Sequence, residues 1–175
     1  MSFIDSVYEK LRRHPKRIVF PEGPDGRVLA AARKYVDMGL GPAVLLGKRS
    51  TIEQEALRHR VPLDRLRLVD PETSSDLELF CQRLERLDRF RNLGIANARE
   101  LLMNRNYFAA MMLQNGLVDA LVGGVSEYSG ALLRPLIQLV KRLPHTELIS
   151  SCMIVETQNL NVGDQGVLFF ADCAV

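Results

Sequence analysis

Val118-Asp119-Ala120-Leu121-Val122-Gly123-Gly124-Val125-Ser126-Glu127-Tyr128-Ser129-Gly130-Ala131-Leu132-Leu133-Arg134-Pro135 passes from one kind of backbone to another twice. The apolar opening reads as a short buried strand. Glycine and hydroxyl residues then make a loop, and the apolar spacing beyond it reads as a helix entered near an arginine and a proline. A strand that runs through Gly123 and Gly124 into a helix N-terminus leaves backbone N–H groups aimed at one point, which attracts anions and phosphate above all. Ser126 and Ser129 add hydroxyl donors, and Arg134 adds a guanidinium fork suited to phosphate or carboxylate. The loop matches neither the dinucleotide G-x-G-x-x-G pattern nor the P-loop. A strand–turn–helix crossover whose glycines only permit a tight bend explains the same residues, so both readings stand.

Outward from this stretch the chain alternates strands and helices. Leu132, Leu133, Leu136, Ile137, Val140 and Leu143 continue at helical spacing. If that helix starts at Ser129, Pro135 falls in its second turn and should kink it. If it starts at Arg134, the proline sits at the favourable first position. Upstream, helices are expected over about 96–103 and 106–115, the second packing Tyr107, Phe108, Met111 and Met112 into a core. Ile18-Val19-Phe20, Ala43 to Leu46 and Leu66 to Val69 read as short buried strands. Between them lie a helix over about 27–38 capped by Asp25 and another opened by the capping-box spacing of Ser50 to Glu53. Leu77, Phe80, Cys81, Leu84 and Leu87 mark a further helix, and Ser2 with Asp5 caps one at the N-terminus. Arg83, Arg86, Arg89 and Arg91 lie on that further helix and its exit, where a solvated face accounts for most of them.

This alternation predicts an α/β fold with a mostly parallel sheet and helices on both faces. Ligands in such sheets sit beyond the carboxyl ends of strands, which singles out the loops after Phe20, Leu46, Val69 and Val122. After Pro144 the pattern changes to a hairpin, with strands over Leu148 to Val155 and Val167 to Ala171 around a Gly163-Asp164-Gln165-Gly166 turn. Residues 1–144 are therefore assigned to a first α/β domain and 145–175 to the incomplete start of a second.

The 175 residues are 47% hydrophobic and 25% charged with a net charge of +2, an ordinary globular composition that gives no argument for nucleic acid. No apolar run suits a membrane span and Met1 to Leu11 is unlike a signal peptide. Cys81, Cys152 and Cys173 sit in apolar stretches and are expected to be reduced, buried thiols of a cytoplasmic protein. His14, His59 and His145 make no ligand spacing with them, so no metal is expected.

Arg17 to Arg33 resembles the opening of phosphate acetyltransferases and phosphate butyryltransferases. Asn106 to Met112 followed by Gly116-Leu117-Val118-Asp119 is similar to the same family, as are Gly123-Gly124-Val125-Ser126 with Ser129, Leu133-Arg134-Pro135 and Gly166 to Asp172. The resemblance covers nearly the whole chain, in order. It implies the two-domain α/β fold of isocitrate and isopropylmalate dehydrogenases, truncated early in its second domain, with the site in an interdomain cleft and a homodimeric assembly. It implies transfer of an acetyl group between coenzyme A and inorganic phosphate, both as substrates, with no bound cofactor. A butyryltransferase and a non-catalytic acyl-CoA-sensing module of the same fold are the alternatives. Arg134 would bind a phosphate-bearing substrate, with Ser126, Ser129, Gly123 and Gly124 lining the site. Arg89 or Arg91, near Gly94, would supply a second substrate-binding arginine. Glu127-Tyr128-Ser129-Gly130-Ala131 stands where many members have a run of serines and an aspartate, which puts fewer hydroxyls and an extra carboxylate beside the site. The family's catalytic aspartate and serine–arginine pair belong to its C-terminal half, so these residues alone are expected to be inactive.

Overall fold

The computed structural model describes residues 2–87, 97–146 and 148–173. Arg89, Arg91 and Gly94, and with them the expected second arginine, lie outside the described residues. The chain forms two compact units, His14–Lys141 and Met1–Arg13 together with Arg142–Val175.

The larger unit is built on four parallel strands, β1 (Ile18–Phe20), β2 (Ala43–Leu46), β3 (Leu66–Val69) and β4 (Ala120–Leu121), in the order β3-β2-β1-β4. Side chains alternate across a strand, so each strand feeds two cores. Phe20, Ala43 and Leu45 pack on one face with Val28, Leu29, Ala32 and Val36 of helix α2 (Gly26–Asp37) and Ile52 and Ala56 of α3 (Arg49–His59). Val19, Val44 and Leu46 pack on the other with α4 (Leu77–Glu85), α5 (Ala98–Met103), α6 (Arg105–Gln114) and α7 (Ser129–Leu139). Burial on both faces is why β1 and β2 are continuous apolar runs rather than alternating ones, whereas β3 exposes Arg67. Phe108, Met111 and Met112 are core residues as expected, and the Phe108 ring lies 5.1 Å from that of Phe80.

Local starts and stops differ from the sequence reading in informative ways. Asp25 does cap α2, accepting from the Arg27 N–H at 2.9 Å. α3 instead begins two residues early, at Arg49 with Lys48 in the N-cap position, and has no side-chain cap. Glu53 pairs with Arg49 at 3.1 Å on the same face rather than reaching back to close a capping box. α7 takes the earlier of the two registers, and Pro135 lies inside it. A proline there leaves the carbonyl four residues back without its helical donor. That carbonyl belongs to Ala131, and the buried Asn106 side chain donates to it at 3.1 Å. α7 stops at Leu139, short of Leu143, where the Lys141 N–H turns to the Gln114 side chain at 2.7 Å.

The smaller unit holds α1 (Phe3–Arg13) and an antiparallel hairpin, β5 (Cys152–Glu156) and β6 (Val167–Ala171). Ser2 and Asp5 cap α1 reciprocally at 3.1 and 3.3 Å, and Glu156 accepts the Phe3 and Ile4 N–H groups at 2.7 and 3.2 Å. The division does not follow chain order, because the first helix groups with the last strands. β5 is shorter than expected because β6 offers it only five partners. Cys152 and Cys173 are exposed and only Cys81 is buried, which corrects the expectation of three buried thiols; two strands alone cover little of either hairpin face. All three are free. No helix among the described residues is long and apolar enough to cross a membrane.

Candidate functional site

The strand order reverses at β1, with β2 on one side and β4 on the other. Beyond the carboxyl end of such a reversal an open α/β sheet presents a crevice for ligands. The loops there are Pro21 to Asp25 after β1 and Val122 to Tyr128 after β4. They are joined by one side chain. The Glu22 carboxylate, 4% exposed, accepts from the backbone N–H groups of Gly124 (2.7 Å), Val125 (2.9 Å), Ser126 (2.6 Å) and Glu127 (3.1 Å), and from the Ser126 hydroxyl at 2.7 Å. Burial by itself pushes a carboxyl up, but the Val125, Ser126 and Gly124 donors outweigh it here and hold Glu22 down at about 2.

The glycine loop is therefore an anion nest, as its composition suggested, and the anion in it is internal. The donors expected to meet a substrate phosphate are engaged by Glu22. Gly124 has φ +93°, a conformation that turns successive N–H groups the same way and suits glycine. Gly123 lies so close to the carboxylate that a Cβ there would stand 3.4 Å from Glu22 Oε2 and 3.1 Å from Leu132. Arg27 fixes the outer side of the loop, donating to the Val125 carbonyl at 3.2 Å and to Asp25 at 2.7 Å.

Glu127, the carboxylate that departs from the resembling pattern, is also engaged. It accepts from Asn106 Nδ2 at 2.6 Å and lies 3.6 Å from Arg105. Asn106 thus holds the end of the loop with one contact and the proline gap of α7 with the other.

What remains open is the start of α7. Its N-cap residue, Tyr128, makes no side-chain capping bond, and the first N–H groups of an uncapped helix seek acceptors. Ser129 is exposed there. Arg134, in the second turn, is exposed and makes no hydrogen bond or ion pair with a described residue. Four residues separate it from Gly130, which places the two on one face, and long helical side chains lean towards the N-terminus. Tyr107 lies near enough that the Arg134 charge opposes the upward push of burial on its hydroxyl, which donates to Gln138 at 2.7 Å. Of the expected site residues, Gly124 and Ser126 donate to Glu22 and Gly123 lies against its carboxylate, whereas Ser129 and Arg134 are exposed on α7.

The loops after β1, β2 and β3 line a cleft of about 280 Å³ bounded by Pro24, Lys48, Thr51, Asp70, Glu72 and Arg105. Lys48 lies 3.6 Å from Glu72 across it. Sequence reasoning named these loops as candidates but missed Glu22, whose Pro-Glu-Gly setting reads as an ordinary surface turn.

The model of the phosphate acetyl/butaryl transferase family matches residues 2–175. The phosphate acetyltransferase of Clostridium acetobutylicum is 33% identical over 175 residues, which is 100% of this chain and 53% of that protein. That of Thermoanaerobacterium thermosaccharolyticum is 34% identical, with the same coverage of each. The chain thus spans about half the length of these relatives. Among solved structures, the EutD phosphotransacetylase from Staphylococcus aureus matches 98% of this chain and 50% of its own, with a TM-score of 0.84 and 28% identity. Sequence and backbone agree along almost all of these residues, and the chain belongs to the phosphate acetyl/butaryl transferase family.

Proposed function

We propose that this chain carries the part of a phosphate acetyltransferase that binds an anionic substrate, the reaction being acetyl-CoA plus phosphate to acetyl phosphate plus coenzyme A. The observation that carries the reading is Arg134, an exposed guanidinium with no hydrogen bond or ion pair among the described residues, on an uncapped helix start within the matched region. A phosphate oxygen attacks the thioester carbonyl, the carbon–sulfur bond breaks, and the departing thiolate takes up a proton. That chemistry needs no protein nucleophile; it needs both reactants held close and their charges managed. Guanidinium, hydroxyl and N–H donors serve that purpose, and Arg134, Ser129 and the first turn of α7 supply them here. A carboxylate that accepts the thiol proton in the reverse direction is assigned to sequence matching the relatives' other half. Coenzyme A and phosphate enter as substrates, the protein works in the cytoplasm, and its assembly is a homodimer.

The test is acetyl phosphate formation by the protein expressed from its complete reading frame, beside Arg134→Ala. Removing one charge-assisted contact to a substrate phosphate should lower kcat/KM roughly 10- to 150-fold. Unchanged turnover in the variant would remove Arg134 from the site. Acetyl-CoA binding without turnover in the unaltered protein would replace the enzyme with an acyl-CoA-sensing module.

A further inference from the structure

A carboxylate this deeply buried ordinarily has a cation beside it. Glu22 forms no ion pair among the described residues; its bonds all come from the loop after β4, more than a hundred residues downstream. Those bonds span four consecutive residues, Gly124 to Glu127, and α7 begins at Ser129. The direction in which α7 leaves the sheet, and hence where Ser129 and Arg134 stand, follows from how the loop closes on this carboxylate.

We propose that Glu22 is a positioning residue: it fills the loop's anion nest with an internal carboxylate and thereby fixes the start of α7, so that Ser129 and Arg134 face the substrate. This rests on the reading of Arg134 as a substrate-binding group. Two consequences follow. The backbone nest is closed to substrate phosphate, which leaves recognition to the side chains and first turn of α7. And Glu22 affects turnover only through that helix, touching no reacting atom itself.

Glu22→Gln keeps the shape but turns an NH2 group towards two backbone N–H donors, whichever oxygen it replaces, so the loop opens. It is assayed in the protein from the complete reading frame, at a temperature where thermal melts show wild type and variant both fully folded. Acetyl phosphate formation should fall at least tenfold in kcat/KM. In an Arg134→Ala background the same change should cost no more than about threefold, because only Ser129 and the first turn of α7 are then left for it to position. Ser126→Ala removes one nest donor without burying anything new; it guards against a Glu22 variant that does not fold. Its two- to fivefold loss should likewise shrink in the Arg134→Ala background. Full activity in the folded Glu22→Gln protein overturns the proposal. So do losses that persist undiminished without Arg134, since a general structural role would give that result. Absence of turnover in the unaltered protein is a different failure: it removes the acyltransferase reading, and the proposal with it.

Discussion

Replacing Asn106 with alanine separates the two tasks of one buried side chain. Its Nδ2 donates to the Glu127 carboxylate at 2.6 Å and to the Ala131 carbonyl at 3.1 Å, and the residue is 4% exposed. A hydrogen bond to a charged group contributes about 1.5–3 kcal/mol and a neutral one about 0.5–1.5 kcal/mol. Glu127 is only half-buried and regains some water when the amide is lost, so Asn106→Ala should cost about 2 kcal/mol, towards the lower end of that sum. The part of this cost that comes from Ala131 exists only because Pro135 lacks an N–H. Pro135→Ala supplies that N–H to the same carbonyl. In the Pro135→Ala background the Asn106 substitution should therefore cost about 1 kcal/mol less than in wild type. Urea unfolding of the four proteins, followed by far-ultraviolet circular dichroism with a constant m-value, measures the coupling. If the two substitutions add within about 0.3 kcal/mol, the amide does not patch the proline gap and the reasoning fails.

Two further outcomes follow from the packing around the nest. Glu22 has a folded value of about 2 against an ordinary 4.5, a depressed carboxyl whose stabilisation is full above the ordinary value and lost as pH falls through the folded one. That shift corresponds to about 3 kcal/mol at neutral pH, so the stability gap between wild type and Glu22→Gln should narrow by roughly 2 kcal/mol between pH 6 and pH 3. A gap that stays constant across that range in urea titrations would refute the assignment. At the neighbouring residue, a Cβ on Gly23 would stand 2.5 Å from the Leu46 carbonyl oxygen. Gly23→Ala should therefore destabilise by about 1–3 kcal/mol, and a melting temperature equal to wild type would show that the turn relaxes freely.

The sheet was legible because doubly buried strands leave a local signature. Ile18-Val19-Phe20 and Ala43 to Leu46 are uninterrupted apolar runs, Leu66 to Val69 is broken only by the exposed Arg67, and the strands have those bounds. The caps of α1 and α2 could be read for the same reason, since Ser2, Asp5 and Asp25 act within three residues of themselves. The site was less legible because its decisive contacts are distant. A loop rich in glycine announces a nest, but whether the nest waits for a ligand or is filled from within depends on Glu22, 102 residues before Gly124. The register of α7 was undecidable for a like reason. Pro135 is tolerated in its second turn by an amide on another helix, and nothing near the proline records that amide.

The link from Glu156 to the first turn of α1 joins residues about 150 positions apart, and it sets an order in time. An isolated helix of 11 residues is barely populated in water. At the ribosome's roughly 5–20 residues per second, Phe3 and Ile4 wait about 8–30 s before Glu156 exists to receive them. Meanwhile His14–Lys141, an unbroken stretch with both sheet-flanking cores, has been completed and can fold. Phe3 and Ile4 are thus made before the whole of that stretch and reach their final partner after it.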